Sequence, residues 1–91
     1  MKEEYRVYVL YSEGLKQTYT GHTGSLDRRL FRHNNGLEKS TKHGAPWILI
    51  YEEPFSTRTE AIKKEKELKT GKGRDFLKSF RPGSPPRRTK D

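Results

Sequence analysis

Apolar and polar positions alternate in different ways along this chain, and each pattern predicts a different element. From Tyr5 to Tyr11 the sequence reads "YRVYVLY", and from Gln17 to His22 threonines alternate with aromatic or small residues. Both runs have the β-branched and aromatic content of strands, and the polar segment "SEGLK" between them predicts a hairpin. With a four-residue loop, Tyr11 pairs with Lys16 and Tyr8 falls directly opposite Tyr19. A slip of one residue would send the two phenols to opposite faces.

A helical period follows. Ser25 can cap a helix that has Asp27 in its first turn and stops at Asn34-Asn35-Gly36. Leu26 and Leu30 form its buried stripe, with Arg29 and His33 on the margin and Arg28 and Arg32 pointing outward; Phe31 fits neither group. The polar, basic segment from Leu37 to Ala45 is expected to be a mobile loop. "PWILIYEE" is a continuous apolar run, expected to be a strand entered at Pro46 and buried on both faces. Thr57 and Glu60 make a capping box for a second helix to about Thr70. "GKG" is expected to break that helix, and Arg74 to Phe80 to add a short third one. From Arg81 onward "RPGSPPRRTKD" has nothing to bury and is expected to be disordered. The organisation expected is one α+β domain over residues 1–80 and a basic tail over 81–91.

Composition sharpens this picture. The chain of 91 residues has no cysteine, so neither disulfides nor thiolate-held zinc can supplement a core near the lower size limit for independent folding. Lys and Arg number 20 against 12 Asp and Glu, a net charge of +8. A polyanionic partner is the simplest reason for such a surplus, and its binding would be salt-sensitive. No apolar run approaches the roughly 20 residues of a membrane span, and "MKEEYR" lacks the apolar core of a signal peptide. A cytoplasmic protein is expected, with no membrane partner.

One residue resists a purely structural reading. With Ala61 as origin on the second helix, Leu68 lies about 20° to one side and Glu65 about 40° to the other. Glu65 therefore sits inside the apolar face, where an unpaired carboxylate costs several kcal/mol, on the order of a domain's whole stability. Something cationic should meet it: an arginine in a structural salt bridge, or a divalent metal ion.

Taken together, these positions resemble the GIY-YIG nuclease family. Its first signature element appears as Arg6-Val7-Tyr8 and its second as Tyr19-Thr20-Gly21; ten residues after Tyr19 comes Arg29, then His33, and "EAIKKEKELK" resembles the second-helix motif with its metal-binding glutamate at Glu65. The resemblance covers residues 5 to about 80. It departs at Arg6, which replaces the first signature glycine, and at His22, where some members carry lysine. It implies a three-stranded antiparallel sheet flanked by helices, and a metal-dependent endonuclease using Mg²⁺ or Mn²⁺ on Glu65 to hydrolyse DNA, with RNA not excluded. Structured or damaged DNA, as in repair or recombination, is the expected substrate, cut alone or with a protein partner.

The chemistry needs those residue types. Arg29 offers a planar fork that fits a phosphate. A free phenol is only about 0.1% ionised at neutral pH, so Tyr8, assigned as base with Tyr19 in support, needs help; the reverse assignment is the alternative. Nearby cations favour phenolate, and His22 could take the proton directly. His33 is expected to orient phosphate or water. Arg28, Arg32, Lys39, Lys42 and His43 are candidate DNA contacts, and Trp47 is expected in the core. Other signatures fail: "HNN" at His33 lacks the partners of the other small nuclease motif, "TGKGR" follows a helix instead of a strand, and the three histidines form no zinc pattern. The rival readings are a nucleic-acid-binding module that cuts nothing and a scaffold for an acidic protein.

Overall fold

Val, Leu and Tyr fill β1 (Tyr5–Ser12), and residues 7 to 12 of it are buried without a break. That continuous burial places β1 at the centre of a three-stranded sheet, between β2 (Gln17–Thr23) and β3 (Trp47–Phe55), in the order β2-β1-β3 with both pairings antiparallel. This computed structural model describes residues 4–82. Of the expected basic tail only Arg81 and Pro82 fall within them; the rest lies outside the described residues.

The sheet separates two apolar clusters, as the two-residue side-chain period of a strand requires. Val7 and Val9 point to one face and pack against Ala61 and Leu68 of α2 (Arg58–Leu68) and Leu77 of α3 (Gly71–Lys78). Tyr8 and Leu10 point to the other, against Trp47 and against Leu26 and Leu30 of α1 (Leu26–Asn34). Burying each of the fully enclosed Val and Leu side chains among them is worth about 1.5–3 kcal/mol.

Five expectations change. The hairpin pairs Ser12 with Gln17, so Tyr8 lies opposite Gly21 and Tyr19 opposite Leu10. The cause is the loop: Ser12 Oγ accepts the Leu15 N–H at 3.1 Å, and Lys16 takes a left-handed conformation, φ 55°, so the loop is residues 13 to 16. A two-residue shift keeps both phenols on one face, placed diagonally. The strand expected to be buried on both faces is instead β3, an edge strand beginning at Trp47 with Ile48 and Glu52 exposed. Ser25 stands at the N-cap of α1 without a side-chain capping bond. The segment after α1 is anchored: Lys42–Gly44 forms a single 3₁₀ turn, Thr41 is buried, and its carbonyl accepts the Trp47 indole N–H at 2.8 Å. Finally, α3 starts at Gly71, because Thr70 Oγ accepts the Gly73 N–H and the glycines form its first turn.

Half of the capping box is present: Thr57 Oγ accepts the Glu60 N–H at 3.2 Å, while the Glu60 carboxylate accepts from the Thr57 hydroxyl instead of its backbone N–H. So is the stop of α1, where Gly36 adopts φ +71°. Gly73 has a steric reason to be glycine, since a Cβ there would sit 2.5 Å from the Glu67 carbonyl and the Leu68 backbone. At Gly71 a Cβ would meet nothing within 4 Å. Gly73→Ala is therefore expected to destabilise the protein by about 1–3 kcal/mol, while Gly71→Ala is neutral or stabilising by up to about 1 kcal/mol. Urea midpoints of the two variants check this; equal midpoints would contradict the close approach of α3 to the end of α2.

Candidate active site across the edge of the sheet

Alternation along β2 divides the candidate residues between the two faces. Tyr19 shares the α1 face with Tyr8, whereas His22, opposite Val7, projects on the α2 face. They meet because β2 is an edge strand and Gly21, between them, has no side chain. A Cβ at Gly21 would stand 2.9 Å from the Tyr8 hydroxyl and 3.2 Å from the Tyr19 ring. The result is a cleft of about 330 Å³ over the sheet edge, lined by Tyr8, Tyr19, Gly21, His22, Arg29, Arg58 and Glu65.

On the α1 face a buried polar chain backs the cleft. Tyr8 Oη lies 3.0 Å from His33 Nε2, and His33 Nδ1 lies 2.7 Å from Thr41 Oγ1. The Tyr8, Tyr19 and His33 rings pack together, with centroids 5.0 to 6.3 Å apart. Burial, then neighbouring Tyr19, pushes the Tyr8 phenol above its usual value, against the opposing pull of the Arg29 guanidinium. Burial likewise holds His33 below its ordinary value. His33, only 1% exposed, is not on the helix margin and is not among the residues lining the cleft; it stands behind Tyr8.

On the α2 face Glu65 is turned inward, its side chain 18% exposed. His22 Nδ1 lies 2.6 Å from Oε1 and Lys69 Nζ lies 2.7 Å from Oε2. Partial burial raises the Glu65 carboxyl, but the hydrogen bonds from Lys69 and His22 outweigh it and hold the group below the usual carboxylate range. The cationic neighbour is thus Lys69, with His22 on the other oxygen, and not the arginine expected of a structural salt bridge. His22 lines the same cleft as the phenols, with Nδ1 engaged by Glu65 and Nε2 3.4 Å from Arg58 Nη1.

Arg29 reaches the cleft from α1, with Nη1 3.7 Å from Glu38 Oε2. Of the candidate DNA contacts, Arg28, Lys39, Lys42 and His43 are exposed. Arg32 is tied down, its Nε donating to Glu38 at 2.6 Å and its Nη2 to the Leu37 carbonyl at 3.3 Å. Trp47 is in the core, 7% exposed, and Phe31 is 60% exposed.

Besides Lys69, three residues of the site escaped the sequence reading. Arg58 opens α2 with its guanidinium 4.9 Å from the Tyr5 ring centroid and Nη1 3.4 Å from His22 Nε2. Only its place directly after the capping threonine could have flagged it. Thr41 and Glu38 come from a segment without periodicity, where nothing local marks them.

As to metal, Glu65 is the carboxylate of the cleft. Among the described residues no group of three or more His, Cys, Asp or Glu side chains forms a cage. A hard ion that keeps several waters and takes one carboxylate plus phosphate oxygens, as Mg²⁺ does, fits this donor set once Lys69, 53% exposed, swings off Oε2. Among the described residues no helix is long and apolar enough to cross a membrane.

The GIY-YIG catalytic domain matches residues 4–78. A UPF0213 protein of Staphylococcus saprophyticus is 41% identical over 66 residues, 71% of this chain and 80% of that protein. One from Staphylococcus epidermidis is 39% identical over the same shares. The solution NMR structure of the UPF0213 protein of Bacillus halodurans superposes with a TM-score of 0.52 at 30% identity, covering 88% of this chain and 87% of that one. The three-stranded antiparallel sheet with its helices is therefore a fold shared with a solved relative, and the chain belongs to the GIY-YIG family, whose domain is of nuclease type.

Proposed function

We propose that the protein is a metal-dependent endonuclease that hydrolyses phosphodiester bonds in DNA, with structured or damaged DNA as its substrate. The observation that carries the reading is the convergence in one cleft of a phenol, a guanidinium and an inward-turned carboxylate from opposite faces of the sheet. The net charge of +8 supports a polyanionic substrate.

Arg29 binds the phosphoryl oxygens as charge builds on them. Tyr8 is the base. Its raised phenol cannot work as a preformed phenolate, so proton transfer is concerted: as water attacks phosphorus, the Tyr8 oxygen takes the water proton and passes its own proton to His33 Nε2. This step uses the tautomer in which Nδ1–H donates to Thr41 Oγ1 and Nε2 is free to accept. Tyr19 packs on both rings and keeps the Tyr8 hydroxyl at the cleft. Glu65 is the ligand for Mg²⁺ or Mn²⁺, which when bound supplies charge neutralisation at the leaving oxygen. The bond from phosphorus to that oxygen breaks, and the alkoxide takes a proton from solvent.

The rival, a binding module that cuts nothing, draws support from the internal pairing of both Glu65 oxygens. It predicts salt-dependent DNA binding with no cleavage in either metal.

Cleavage of plasmid, flap and branched DNA with Mg²⁺ or Mn²⁺ tests the reading. Arg29→Ala and Glu65→Ala should each lower the rate by about a hundredfold to a thousandfold, and activity surviving both would refute the assignment. Gly21→Ala, which crowds the Tyr8 hydroxyl, should cost about a hundredfold in rate through misplacement alone while circular dichroism stays unchanged; full activity would show that the phenol is not used. For pH, His33 must be neutral to accept a proton, and its folded pKa is depressed below the usual value of about 6.5. Cleavage should hold at neutral pH and fall only as acidification passes below that value. An acidic limb lying above the ordinary histidine range would contradict the relay.

A further inference from the structure

The catalytic cleft continues along β2. Next to it lies a second cleft of about 230 Å³, lined by Thr18, Tyr19, Thr20, Leu68, Lys69 and Arg74. Tyr19 borders both. Arg58, beside His22, lines the first cleft with Arg29 and Glu65, and Arg74 lines the second with Lys69, which bonds Glu65. The groove's floor is a sheet edge, since β2 pairs with β1 alone in the sheet, and an edge strand offers backbone N–H groups that suit phosphate oxygens.

The dimensions fit a polynucleotide backbone. Four residue steps, from Thr18 to His22, span about 13 Å of strand. A stacked nucleic-acid strand advances about 3.4 Å per nucleotide, so the groove is about four nucleotides long. A path of that length needs phosphate contacts on both sides of the reacting group. Arg58 is held for such a contact: its guanidinium lies over the Tyr5 ring, which fixes the plane of the fork. Arg74 is exposed on the first turns of α3, beside Thr18.

We infer that the free edge of β2 is the path of one phosphodiester backbone, with Arg58 and Arg74 holding the phosphates that flank the reacting one. The path rests on the nuclease reading only for which phosphate reacts; the binding claim stands apart from it. None of the DNA contacts expected from the sequence lies on this path, which shifts the interface from α1 and the segment after it to the β2 edge.

Binding is measured in EDTA, so that nothing is cut, by fluorescence anisotropy. The probes are a labelled single-stranded oligonucleotide and the same strand annealed to its complement, over a series of salt concentrations. Arg58→Gln and Arg74→Ala should each weaken the tighter-bound probe by about three- to tenfold. Each should also flatten the slope of log K against log salt by about 0.7 for a single strand or 0.9 for a duplex. Lys64→Ala removes an equal charge from beside Glu53 on the β3 edge and should leave the slope unchanged. Unaltered slopes in the two arginine variants, or equal flattening in Lys64→Ala, would overturn the path. Flattened slopes in a protein that cuts nothing with any metal would keep the path and refute the nuclease reading. Cleavage by a protein whose arginine variants bind as wild type does would do the reverse.

Discussion

Everything at the site depends on a missing side chain. Residues on one face of a strand cannot ordinarily meet those on the other, because the backbone and its Cβ atoms lie between them. At Gly21 that barrier is thinned, on a strand that is already the sheet edge, and the Tyr8 hydroxyl occupies the room a Cβ would take. One cleft thereby receives a phenol and a guanidinium from the α1 side and a carboxylate from the α2 side. The glycine serves close approach here, not an unusual backbone angle.

Stability and chemistry share the same polar column. From the cleft inward, Tyr8, His33 and Thr41 are linked by hydrogen bonds, and the Thr41 carbonyl takes the Trp47 indole proton. Asn34 then clasps the Trp47 backbone, with Nδ2 donating to its carbonyl and Oδ1 accepting its N–H. Such a network is worth having only when every member is satisfied, because a buried polar group left without a partner is costly. It ties the segment after α1 to the start of β3, and it fixes the imidazole behind the Tyr8 phenol. The opposite face is organised differently: Val7, Val9, Ala61, Leu68 and Leu77 form an apolar cluster that packs α2 against the sheet, and Glu65 is presented from that packed helix.

Where local signals were strong, the sequence was readable. Thr57 and Glu60 mark the start of α2 because a capping box is written in two adjacent turns, and the inward turn of Glu65 follows from helical period alone. Strand runs were equally visible, but their order was not. "PWILIYEE" is as apolar as a central strand, yet β1 takes the centre, because sheet order depends on tertiary pairing that no local window contains. The hairpin register slipped by two through the Ser12 hydroxyl and the left-handed Lys16, details of turn chemistry beyond residue counting. Nor did spacing place His33 in the core: its burial comes from Tyr8, Tyr19 and Thr41 closing round it, two of them on β1 and β2 and one beyond the end of its own helix. Arg58 was missed because a first-turn arginine is usually just a solvated charge.

One place therefore decides the chemistry: the edge of β2 around Gly21, His22 and Glu65. Manganese ion titrated into the isotopically labelled protein tests it most directly, since the paramagnetic ion broadens amide resonances according to their distance from it. The account predicts broadening that starts at Gly21, His22 and Glu65, spreads to Tyr19 and Lys69, and vanishes in Glu65→Ala. Broadening centred elsewhere, or unchanged by that substitution, would contradict it.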